Sequence, residues 1–157
     1  MSNITVIQSS HQIPKTTNLL EYKALSNCLE ILGVAEIQRH IFICADQTIA
    51  NNCSKRASLE SWEYLKKRLK ELKFDEPQQS NPICVYRTKA NSLRVCCSRP
   101  IMVVYPDGVW YSQVSPEVIE QIIQEHLIGN KVVEKYVFLT HPLPETSLVS
   151  CEHLIEA

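Results

Sequence analysis

With three glycines in 157 residues, the chain has little material for a glycine-rich loop that could cradle a phosphate. It contains no CxxC, which excludes the dithiol active site of a thioredoxin-type reductase. No apolar run approaches the roughly 20 residues of a membrane span. The first eighteen residues are polar and lack the basic-then-apolar layout of a signal peptide. An excess of one charge is also missing: 16 Lys and Arg against 17 Asp and Glu leave a net charge of -1, so the whole chain has no field to recruit nucleic acid or anionic membrane. Neither paired carboxylates nor a Ser–His–Asp arrangement stands out, which argues against an enzyme. The expectation is a soluble, cytoplasmic protein without nucleic-acid or membrane partners.

What the chain does have is cysteine. Seven in a chain without a signal peptide argue against a disulfide framework and toward metal binding, redox chemistry or buried thiols. The spacing of Cys44 and Cys53 is too wide for the short ligand pairs of structural zinc sites. A hydrophobic share of 45% and a charged share of 21% suit one globular domain with a real core.

Periodicity orders the elements. Leu19, Tyr22, Leu25, Leu29 and Leu32 recur at helical spacing and Gly33 closes the run, with Cys28 expected to pack beside the stripe. HIFIC at 40–44 reads as a strand, followed by a polar loop, 45–57, that contains Cys53. Ser58 is expected to cap a helix that turns Trp62, Leu65, Leu69 and Leu72 inward and four cations outward. ICVY at 83–86 reads as a second strand, and 87–99 as a loop with Ser92, Cys96 and Cys97. IMVVY at 101–105 and residues 109–111 form a hairpin about Pro106-Asp107-Gly108. Ser115-Pro116-Glu117 starts a helix with Val118, Ile119, Ile122, Ile123 and Leu127 on its apolar face, and Gly129 ends it. Residues 132–139 read as extended, and a polar tail follows.

Strand–helix–strand, then strand–strand–helix, is the order of a thioredoxin-like α/β fold. It implies a mixed sheet of about four strands flanked by helices, plus the N-terminal helix. The first strand pair needs a crossover and should be parallel, whereas the hairpin is antiparallel. The domain reading is an N-terminal extension with one helix over 1–37, a thioredoxin-like domain over 38–139 and a tail over 140–157.

The same residues resemble a known family. HIFICADQT at 40–48, Cys53, SLESWEYLKKRLKEL at 58–72, Cys96, PIMVVYPDGVWY at 100–111 and PEVIEQIIQEHLIGNKVVEKY at 116–136 look like the thioredoxin-like [2Fe–2S] ferredoxins. The likeness covers roughly 38–138. It implies one [2Fe–2S] cluster, electron transfer with redox partner proteins, no enzymatic activity and a homodimer. Cys44 and Cys53 match the family's first ligand pair. Cys96 matches the last ligand, and the remaining ligand position, four residues before it, is Ser92. The small residue that the family places before the following proline is here Arg99.

An atypical ligand set of three thiolates and one hydroxyl follows from the resemblance: Cys44, Cys53, Ser92 and Cys96, with Cys97 as a substitute sulfur. Iron–sulfur clusters favour soft thiolates, and a serine proton is far harder to remove than a thiol proton. Lys55, Arg56, Arg87, Lys89, Arg94 and Arg99 give these loops a positive field that lowers thiolate pKa, or steers an acidic partner, or is merely solvated. The alternative function is a cluster-free thioredoxin-like interaction or thiol redox-sensing module, with Cys96 and Cys97 as the reactive thiols. Cys84 reads as packing, His40 as structural, Trp62 as core, and Cys151 as an exposed tail thiol.

Overall fold

A computed structural model describes residues 18–45, 54–77, 81–95 and 97–141. Cys53, Cys96, Asp46, Gln47 and the tail with Cys151 lie outside the described residues. The chain divides into two compact units, 1–35 and 36–157.

The first unit carries helix α1, Leu19–Leu32. Asn18 caps it, its side-chain oxygen accepting from the Leu20 N–H at 3.0 Å. Gly33 closes it in the left-handed region, φ 61°, where a side chain would be strained, and its N–H returns to the Glu30 carbonyl. Leu19, Leu20, Tyr22, Leu25, Leu29, Ile31 and Leu32 are all exposed. Cys28, expected to pack, is exposed as well.

In the second unit a sheet of five strands has the order β2-β1-β3-β4-β5. The strands are β1 (Arg39–Cys44), β2 (Val85–Ala90), β3 (Met102–Tyr105), β4 (Val109–Tyr111) and β5 (Val137–Thr140). β1 and β2 are parallel, with Arg39 opposite Val85 and Cys44 opposite Ala90. Every other pairing is antiparallel. The mixed thioredoxin-like α/β sheet is therefore present, one strand larger than expected because 137–140 pairs onto β4.

Two helices cover one sheet face. The first, α2, spans Ser54–Glu71, so Ser58 is no cap: it lies one turn inside the helix and is buried. Lys55, Arg56 and Ala57 offer no helix breaker, and the helix runs back through them. Leu65 and Leu69 bury fully against Ile41, Ile43, Met102 and Val104. Each such side chain stabilises the fold by about 1.5–3 kcal/mol.

The second, α3 (Pro116–Gln121), is capped by the Ser115 hydroxyl and continues as a π-helical stretch, Ile122–Ile128. The wide turn closes with the Gly129 N–H on the Gln124 carbonyl, 3.0 Å. α2 grips α3 through Arg68, whose Nε and Nη2 reach Glu120 at 2.8 and 2.9 Å. The Tyr64 hydroxyl adds a bond to the same carboxylate at 2.8 Å.

The second strand starts and ends later than the ICVY pattern suggests. Ile83 and Cys84 precede it, and Arg87 to Ala90, expected in a loop, belong to it. Pairing with β1 decides this, since the ladder satisfies backbone groups along its whole length whatever the side-chain polarity. Likewise 132–136 is not extended throughout: a 3₁₀ turn, Glu134–Tyr136, precedes β5. The strand ends at the β3–β4 hairpin, where Gly108 has φ 65° and a side chain there would meet the His141 carbonyl at 1.9 Å.

Candidate functional site

The site lies at the end of the sheet where β1 and β2 stop. Cys44 is the last residue of β1 and is buried. Its N–H donates to the Ile101 carbonyl at 3.0 Å, while the Ala45 N–H donates to the Ala90 carbonyl at 3.0 Å. Two connections therefore flank this cysteine, 90–92 on the β2 side and 99–101 on the β3 side. Its Sγ is a free thiol that donates to the Asn91 carbonyl at 3.7 Å.

Ser92 follows Asn91 and is exposed. Its Oγ accepts the Arg94 N–H at 3.1 Å, a local turn that Arg94 closes with φ 67°. Of the four ligand positions, the structure brings Cys44 and Ser92 to adjacent strand ends, and Cys53 and Cys96 lie outside the described residues. Among the described residues no group of three His, Cys, Asp or Glu side chains could hold a metal ion.

Cys97 is exposed. It borders a hollow of about 140 Å³ with Val95, Ile101, Ser112 and Phe138. Arg99 sits beside the start of α2 in a cleft with Ala57, Glu60 and Glu117, and its buried Nε has no hydrogen-bond partner among the described residues. The loop is pinned by the Gln113 N–H on the Ser98 carbonyl, 2.9 Å, and the Val114 N–H on the Pro100 carbonyl, 3.1 Å. Buried Ser61 secures α2 to the same region by donating to the Val114 carbonyl at 2.6 Å.

Cys84 is remote from this end. It lies just before β2 and its carbonyl accepts the Gln38 N–H at 2.9 Å, so it belongs to the opposite end of the β1–β2 pair. Burial, then the Glu36 and Asp75 charges, push its thiol pKa up. It stays protonated and packs, as read from the sequence. His40 stacks on Phe42 with ring centroids 4.3 Å apart and meets the Thr88 hydroxyl at 2.7 Å, a structural role.

The sequence reading missed a polar chain at that opposite end. Arg39 Nε donates to Asp107 at 2.7 Å, His126 Nε2 lies 3.5 Å from the same carboxylate, and the Tyr111 hydroxyl meets His126 Nδ1 at 2.9 Å. The Val133 N–H donates to the Tyr111 oxygen at 3.3 Å. Burial pushes the Tyr111 phenol up to about 12 and the His126 imidazole down. On Asp107 burial acts upward, but the Arg39 hydrogen bond and charge outweigh it and hold the carboxyl below its usual value. A histidine within an otherwise apolar helix face was the available signal.

The described donor chemistry is compatible with an iron–sulfur centre: a buried free thiol in contact with the Asn91 carbonyl, and a serine hydroxyl on the next residue of that loop. No helix among the described residues is long and apolar enough to cross a membrane.

No family model matches the chain. A [2Fe–2S] ferredoxin of Aquifex aeolicus is 31% identical over 103 residues, which is 63% of this chain and 87% of the relative. A [2Fe–2S] ferredoxin of Clostridium pasteurianum is 29% identical over 102 residues, 62% of this chain and 93% of the relative. The crystal structure of the wild-type thioredoxin-like [2Fe–2S] ferredoxin from Aquifex aeolicus superimposes with a TM-score of 0.54 at 29% identity, covering 66% of this chain and 99% of the other. A cysteine-to-serine variant of that ferredoxin gives a TM-score of 0.55, covering 65% and 99%. From the curated relative and the shared fold, the chain belongs to the thioredoxin-like [2Fe–2S] ferredoxins.

Proposed function

We propose that this protein is an electron carrier that holds one [2Fe–2S] cluster through Cys44, Cys53, Ser92 and Cys96. The observation that supports the reading best is the adjacency of buried Cys44 and the Asn91–Ser92 turn at the ends of two paired strands. When bound, such a cluster accepts and returns one electron. The protein supplies thiolates, a dry wall and hydrogen bonds that tune it. Ser92 contributes the hardest donor of the set, and the Arg94 N–H on its Oγ favours the deprotonated form. Cys97, exposed on the same loop, is the substitute ligand.

The proposal extends to a cytoplasmic homodimer that serves redox partner proteins. Exposed Leu139, paired with half-buried Trp110 on β4, offers it a contact surface. Residues 1–37 form an extension and 140–157 a tail around the ferredoxin domain at 38–139.

A second reading, a cluster-free interaction or thiol redox-sensing module, draws on one feature. The exposed Ser92 hydroxyl is already engaged within its own turn, by the Arg94 N–H. Anaerobic purification with an absorption spectrum and iron and sulfide analysis, beside Ser92→Cys, separates the two. Visible bands with two irons and two sulfides per chain support the carrier. A colourless, folded chain in both forms overturns it.

A further inference from the structure

We propose that the rim around Cys44 docks an acidic protein partner, a proposal that rests on the electron-carrier reading. Between 87 and 100 the chain holds four cations, Arg87, Lys89, Arg94 and Arg99, and no carboxylate. Lys55 and Arg56 add two more in the first turn of α2. The fold gathers most of these at one end of the sheet. Lys89 pairs with Ile43, one residue short of Cys44, Arg94 lies two residues past Ser92, and Arg99 borders the start of α2.

Not all of this charge is available. Arg87 is engaged by Asp75 at 3.3 Å. Arg56 meets Glu60 at 2.8 Å, but both side chains are more than half exposed and the pair is weak. Lys89 and Arg94 are exposed, and among the described residues neither side chain makes an ion pair. Since the whole chain carries -1, the sequence outside these six cations carries a net negative charge. The ligands of a bound cluster would offset part of the rim's charge. That leaves Lys89 and Arg94 as the charges a partner meets first.

The same loop offers an apolar anchor. Val95, Cys97, Ile101 and Phe138 line the small hollow described above, and Phe138 is 44% exposed. Among the described residues the hollow has no cation in its lining, but Arg94 immediately precedes Val95 in the chain. An apolar spot and an exposed cation therefore share one loop, as at the core and rim of a transient protein interface. Complementary charge raises the encounter rate and discourages like-charged partners, while the hollow supplies contact area.

The test uses the full chain and a decaglutamate peptide as probe, with binding followed by calorimetry and by amide chemical shifts. The peptide should bind at low salt, weaken about tenfold between 20 and 200 mM salt, and shift amides in 89–99. Lys89→Glu/Arg94→Glu should weaken it at least tenfold, while Lys73→Glu, at the other end of α2, should change it less than twofold. No binding, or equal loss in the two variants, overturns the proposal. Tighter binding of a short DNA duplex than of the peptide also overturns it, assigning the face to nucleic acid. The absorption spectrum reports separately on the carrier reading: a colourless chain defeats that reading, and with it the purpose of the rim, whatever the peptide does.

Discussion

The Tyr111 hydroxyl meets His126 Nδ1 at 2.9 Å with both side chains fully buried. The Val133 N–H also donates to the Tyr111 oxygen, and Nε2 faces the Asp107 carboxylate, so the tautomer that suits all three contacts carries its proton on Nε2 and accepts the phenol proton at Nδ1. At 3.5 Å that last contact is too long for a good hydrogen bond. A second proton on His126 has no acceptor, because Nδ1 is occupied as one.

Burial lowers the folded-state pKa of His126. The unfolded chain therefore binds the proton first, and stability falls as pH drops below about 6.5 toward the lower folded value. Urea midpoints measured at pH 8 and pH 5.5 should show this, and His126→Gln should flatten the difference. An equal slope in the variant counts against the assignment. Tyr111→Phe, which strands both the Val133 N–H and Nδ1, should cost about 1–3 kcal/mol.

Arg68 holds the Glu120 carboxyl down to about 2 through a two-pronged hydrogen bond. The stability this provides is complete above the ordinary carboxylate value. It is lost as pH falls from about 4.5 toward 2. Arg68→Met should remove that part of the acid limb while leaving the slope near pH 6 in place, as read from circular dichroism titrations.

Gly108→Ala places a methyl group 1.9 Å from the His141 carbonyl at a backbone φ of 65°. The left-handed conformation alone costs about 1–2 kcal/mol, and the clash with backbone adds to it. The bond from the His141 N–H to the Gly108 carbonyl, 2.7 Å, should break as well. Hydrogen exchange at His141 should accelerate far more than at Ile41. Unchanged exchange would contradict the close approach.

Ser92→Cys should raise the reduction potential and slow the loss of iron in air, since sulfur replaces a hard, basic oxygen. Cys97→Ser should leave iron per chain unchanged if Ser92 is the fourth ligand. Loss of iron in Cys97→Ser with retention in Ser92→Ala would move that ligand to Cys97.

Much of this architecture was legible where the local code is strong. Gly33 ends α1, Ser115-Pro116 opens α3, and Asp107-Gly108 turns the hairpin, each through a cap or turn whose chemistry is local. The boundaries of β2 were not legible, because they follow from its parallel ladder with β1, which is forty-six residues away at Arg39 and Val85. The start of α2 was misplaced because Ser58 resembles a cap, yet its hydroxyl is buried one turn in. At the site, the resemblance named Cys44, which ends β1, and Ser92, two residues past the end of the neighbouring β2. The Asn91 carbonyl beside the thiol could not be foreseen, because a backbone group leaves no mark in the residue pattern.

β1 has its two chemistries at opposite tips. Arg39 anchors the proton-sensitive chain at one end and Cys44 terminates the other, five residues on, or roughly 17 Å along an extended strand. The strand between is hydrogen-bonded on both sides, to β2 and to β3. Acidity can therefore loosen the far tip of the sheet while the ladder still clamps the backbone that presents the thiol.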